Sequence, residues 1–149
     1  MAAYGVLPAP LGRAAALTIA ALYMAIAEVG VRFVKLPRLT RWLRISLSTA
    51  GVEPPPETVS MAGLRRRELL LLQALGVVAP KWPFADGPCL RQALVAGWIL
   101  RRRGPRLRLG VARTDHRVLA HAWLEVDGVG TLGWQEGYMP LHDDPGKGT

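Results

Sequence analysis

The chain contains one cysteine, Cys89, inside the stretch DGPCLRQALVAGWILRRRG (residues 86–104). Of its three histidines, His121 lies in a run that alternates like a strand, whereas His116 falls in a turn and His142 in the polar tail. A cysteine followed downstream by a histidine can form a nucleophile–base pair: imidazole takes the thiol proton and the thiolate attacks an acyl carbon. Pro88 suits a first helical position, Asp86 can cap the opening N–H groups, and Gly104-Pro105 stops the helix. Cys89 then sits in the first turn, where orphan N–H groups and the positive end of the helix dipole favour thiolate over thiol. The Cys89 backbone N–H is the expected oxyanion donor, with a second from the Lys81 to Gly87 loop. The bland alternatives are a packed cysteine and a satisfied structural histidine.

A catalytic imidazole needs an acceptor on its second ring nitrogen. Asp127 closes the run HAWLEVDG, but six residues at about 3.3 Å each set it roughly 20 Å along an extended strand from His121. The partner is expected across a hairpin turning at Asp127-Gly128. Position 134 opposes His121 if the turn has two residues, and 136 if the loop is longer by two. Glu136 is the acid in that window and the favoured third member. Asp127 is the fallback should the strand bend.

The elements that position these residues read as α+β, helices first. Residues 9–48 read as helical, with a second short helix after Pro37. GVEPPPET (51–58) is a proline-rich linker. It divides an N-terminal helical segment (1–58) from a core (59–149). VSMAGLRRRELLLLQALG supplies one buried helix ending near Gly76, with Arg65, Arg66 and Arg67 on a solvated face. Leu90, Leu94, Val95, Trp98 and Ile99 give the Cys89 helix its apolar face. RLRLGVAR (106–113), VLAHAWLEV (118–126) and TLGWQEGYM (131–139) predict a three-stranded antiparallel sheet. On the middle strand, His121, Trp123 and Glu125 share one face, and Ala120, Ala122, Leu124 and Val126 share the face fit to pack on helices.

With 149 residues, half of them apolar, the chain can bury a real core. Nineteen Lys+Arg against eleven Asp+Glu give a net charge of +8 and predict acidic partners. A lone cysteine implies a reducing, cytoplasmic setting. The uncharged run Ala14 to Ala27 is short of the roughly 20 residues of a membrane span. Ala25-Ile26-Ala27 mimics a signal cleavage site. A long leading region with prolines at 8 and 10 and one positive charge argues instead for a buried helix, with peripheral membrane contact left open. One cysteine and three scattered histidines make no metal spacing, and there is no phosphate-binding glycine loop, so no cofactor is expected.

Taken together, CLRQALVAGWILRRRG, RLRLGV and HAWLEVDG, after an apolar-then-basic helical segment, resemble the lasso-peptide biosynthesis B proteins in their stand-alone form, over about residues 12 to 141. These are transglutaminase-like cysteine proteases that remove a leader peptide. The resemblance implies a transglutaminase-like, papain-like core with Cys89 as nucleophile and His121 as base. It also implies cleavage of a ribosomal precursor peptide, alongside a separate leader-recognition protein and an ATP-dependent cyclase. The family's third member is an aspartate a dozen or so residues after the histidine. Here position 133 is glycine and no aspartate follows until Asp143. Arg38, Arg41 and Arg44 are the expected docking residues for that partner or for an acidic leader.

Three rival readings follow from the same residues. An acyltransferase or transglutaminase would pass the acyl group to an amine. The arginine runs at 65–67 and 101–103 suit a nucleic-acid-binding module, but zinc-finger spacing and RNA-binding aromatics are lacking, so no nucleic acid is expected. A non-catalytic adaptor would use the apolar N-terminal helix.

Overall fold

A computed structural model describes residues 10–48, 61–84, 88–114, 117–127, 130–133 and 139–140. Within them the chain runs α1 (Pro10–Phe33), α2 (Leu36–Leu43), β1 (Ser46–Ser48), α3 (Arg66–Val78), α4 (Cys89–Ile99), β2 (Arg106–Thr114), β3 (Arg117–Val126), β4 (Gly130–Leu132) and β5 (Met139–Pro140). The fold is α+β as expected, but β1 interrupts the helices at Ser46–Ser48, within the stretch 9–48 expected to be helical.

The apolar run near the N-terminus belongs to a longer helix than its own length suggested. From Gly12 to Phe33, α1 is long and apolar enough to cross a membrane by length and composition. In this fold its Ala16, Ala20, Met24 and Ala27 stripe is buried and joins one core cluster with residues of α3 and α4. Alanines at this helical spacing let neighbouring helices approach closely. Residues on both sides of the proline-rich stretch therefore share one core.

The sheet departs from the three-strand expectation. β2 and β3 pair antiparallel along their whole length, from Arg106↔Glu125 to Thr114↔Arg117. β3 pairs with β4 from Leu124↔Leu132 to Val126↔Gly130, a hairpin whose register is one residue off each of the two expected. β4 ends at Leu132, and Gly133 beside it takes a left-handed φ of 80°, a conformation that glycine adopts without strain. β5 does not extend β4 but pairs with β2, at Gly110↔Pro140 and Val111↔Met139. On the same edge of β2, β1 lies parallel, with the Ser46 N–H donating to the Pro105 carbonyl at 2.9 Å. The parallel pairing is closed by a crossover carrying α3 and α4.

Ala122, Leu124 and Val126 point from β3 into the helices, as the alternation predicts. α4 lies on that face and buries Ala93 through Gly97 together with Ile99. A Cβ on Gly97 would sit 2.6 Å from Ile45 Cδ1 and 3.2 Å from Leu124 Cδ1, so glycine lets α4 settle onto the sheet. α3 runs past its expected end at Gly76 to Val78, since that exposed glycine costs only helix propensity. The arginine run after α4 is only partly solvated. Arg103 Nη2 donates to Glu68 Oε2 at 2.9 Å and to the Gly63 carbonyl at 2.7 Å. Burial pushes the Glu68 carboxyl up, but the Arg103 hydrogen bond and the Arg65 N–H more than offset it and hold the group below its ordinary range.

Candidate active site

Pro88 is the residue before α4 and Cys89 its first helical residue. The first rung of the helix is the Gln92 N–H donating to the Pro88 carbonyl at 2.8 Å. The N–H groups ahead of that rung lie at the positive end of the helix dipole, beside the half-buried Cys89 side chain. Asp86, the expected cap, lies outside the described residues.

Cys89 and His121 line the same cavity, of about 660 Å³. Its walls are mostly aliphatic, including Leu69 and Leu72 of α3 and Ala96 of α4, with Gln73 and Gln92 as the neutral polar groups. No Asp, Glu, Lys or Arg lines it among the described residues. The volume suits a few uncharged residues of an extended chain or a small ligand.

The His121 ring is held from its far side. Nε2 lies 2.5 Å from the Gly133 carbonyl oxygen. A carbonyl can only accept, so Nε2 is the donor; in the neutral ring Nδ1 is then the nitrogen with the lone pair that a general base requires. The buried Trp123, two residues along β3, stacks with its ring centroid 6.3 Å from that of the imidazole and inclined by 22°. The acceptor on the second ring nitrogen is thus main chain. It belongs to Gly133, twelve residues after His121.

Asp127 lies elsewhere. Its Oδ1 accepts from Arg106 Nη2 at 2.8 Å, at the end of β3 remote from His121. Glu125 receives Arg108 Nη2 at 3.0 Å, and Arg108 Nη1 donates to Ser48 Oγ at 2.7 Å. The carboxylates at that end of the sheet therefore hold β1, β2 and β3 together, and Asp127 is not brought to His121. Glu136 lies outside the described residues. The docking candidates Arg38 and Arg41 are exposed on α2, and exposed Arg44 follows it with a left-handed φ of 59°.

One contributor beneath the site escaped the sequence reading. Glu28, buried in α1, accepts from Arg91 of α4, two residues beyond Cys89. It also accepts from Trp82 Nε1 at 3.1 Å and from Arg32 Nε at 2.7 Å. The Arg91 hydrogen bond, which leads over the opposing effect of burial, holds its carboxyl down at about 2. Glu28 so ties the Cys89 helix and the segment leading into it to α1. The available signal was a lone carboxylate interrupting an apolar helix, which is seldom buried without a partner.

No curated protein and no solved structure gives a significant match to this chain. A family model does, over residues 30–141, about three quarters of the sequence, and on that match the chain belongs to the transglutaminase-like superfamily.

Proposed function

We propose that this protein is a cysteine peptidase that removes the leader from a ribosomally made lasso-peptide precursor. It would act in the cytoplasm with a separate leader-recognition protein and ahead of an ATP-dependent macrolactam cyclase. The observation that carries the reading is the shared cavity of Cys89, first in α4, and His121, whose ring is oriented by the Gly133 carbonyl. Nδ1 of His121 takes the Cys89 proton and Sγ attacks the carbonyl carbon of the last leader residue. The Cys89 N–H receives the oxyanion. Collapse breaks the C–N bond, the core amine leaves with the proton from His121, and a thioester to the leader remains. Water, deprotonated by His121, then releases the leader acid and regenerates the thiol. The neutral, aliphatic cavity fits an uncharged stretch of peptide around the cut. Arg38, Arg41 and Arg44 are left for the partner or an acidic leader.

Transfer of the acyl group to an amine is the second reading, and membership of the superfamily favours it as much as hydrolysis. Both use the same pair. Incubation with a lasso-peptide precursor and a leader-recognition protein, followed by intact-mass measurement, separates them. Hydrolysis gives two peptides whose masses sum to the precursor plus one water; transfer gives a joined product. Full cleavage by Cys89→Ala would refute both.

A further inference from the structure

The outer side of α1 is as patterned as its buried side. Leu22, Ile26, Val29 and Phe33 are exposed, and their spacing of four, three and four residues is the seam by which one helix receives another. Phe33 is 81 % exposed and Trp42 of α2 is 66 % exposed. Between these rings lies a groove of about 680 Å³, also lined by Lys35, Arg38 and Arg41, with no carboxylate lining it among the described residues. The apolar seam therefore runs into a cationic, aromatic-walled groove, with Phe33 common to both.

We propose that this surface docks an amphipathic helix of a partner protein, one that lays a heptad apolar stripe along Leu22, Ile26 and Val29 and places acidic side chains in the groove. Charge selects that occupant over a second copy of this chain. In a two-fold dimer along α1, parallel helices oppose cluster to cluster, and antiparallel ones bring the acid-free N-terminal half of α1 against it. The one carboxylate of α1, Glu28, is buried and engaged by Arg32 and Arg91. Shape selects it over an anionic bilayer, because a planar surface leaves a recess between two protruding rings unfilled. Arg38 and Arg41 are the residues that the proposed function leaves for a partner, so the proposal deepens that reading. The surface is built without Cys89 or His121, so helix binding is read separately from cleavage.

The probe is a synthetic helix of about three heptads, with leucine at a and d and glutamate at e and g, titrated by fluorescence anisotropy against the full chain. A lysine-for-glutamate twin and vesicles rich in phosphatidylglycerol are run alongside. We expect the acidic helix to bind with Kd below about 50 μM and to weaken as salt rises from about 0.05 to 0.5 M. Arg38→Glu/Arg41→Glu and Val29→Asp should each weaken it by about tenfold or more at unchanged Tm, and Cys89→Ala should leave it unaltered. The proposal is overturned if the lysine twin binds equally well, if neither helix binds, if vesicles displace the acidic helix, or if sedimentation shows α1 buried in a dimer.

Discussion

Nε2 of His121 donates to the backbone carbonyl of Gly133 across 2.5 Å, so the group that orients the imidazole comes from a residue without a side chain. A carbonyl fixes tautomer and ring angle as a carboxylate does. It offers only a dipole to the imidazolium formed during acyl transfer. Because Gly133 holds a φ of 80°, a β-branched residue there must shift the carbonyl. Gly133→Val should therefore lower kcat about 10- to 100-fold with KM little changed, and Gly133→Asn, which tolerates that conformation better, should lose less. Asp127→Asn and Glu136→Gln should each stay within about threefold of wild type in steady-state cleavage. A loss of about 1,000-fold on Glu136→Gln would return the third position to that acid.

Removing the thiol should remove turnover altogether. Cys89→Ala is expected to give no product by mass spectrometry, and His121→Gln to lower kcat by roughly 1,000-fold. Iodoacetamide should add one carbamidomethyl group at Cys89, the single cysteine, and stop cleavage in proportion.

The Glu28 carboxyl sits at about 2 in the fold, below its ordinary value of 4.5. A carboxyl depressed in this way stabilises the fold fully above its unfolded value. That stabilisation drains away as pH falls from about 4.5 toward about 2. Thermal melts followed by circular dichroism should show Tm dropping across this window in the wild type. In Glu28→Gln, Tm should be lower at pH 7 and the acid dependence flatter. Removing one partner of a buried ion pair typically costs about 3 kcal/mol. An unchanged acid limb in Glu28→Gln would place the dependence on other carboxylates, such as Glu68.

Gly97 meets Ile45 and Leu124 with no room for a methyl group. Gly97→Ala gains helix propensity but forces α4 away from the sheet, and overpacking of this kind costs about 1–3 kcal/mol. Urea unfolding should show a lower midpoint with an unchanged m-value. Gly76→Ala, at an open exposed site in α3, should raise stability by up to about 1 kcal/mol.

These effects divide along the line between what local pattern reveals and what only tertiary contact creates. Pro88 marked the start of α4 because proline suits a helix opening, and the alternation of 118–126 marked β3 and its buried face. Both are rules of neighbouring residues. β1 went unseen because Ser-Leu-Ser has no strand signal of its own and pairs with residues 60 positions later. Glu28 went unseen as an anchor because its partner Arg91 is 63 residues away. Cys89 and His121 were visible as a pair because their chemistry resides in side chains. The Gly133 acceptor was not, since every residue has a carbonyl and only the path of the chain aims one at a ring.

α1 turns Glu28 inward to hold Arg91 of the Cys89 helix and turns Leu22, Val29 and Phe33 outward. A helix is about 10 Å across. Whatever seats on the outer stripe is therefore separated from the helix that begins with the nucleophile by the thickness of one rod. A companion protein held there would keep pace with the cavity through every tumble of the molecule, delivering its cargo at a fixed short range instead of by repeated diffusion.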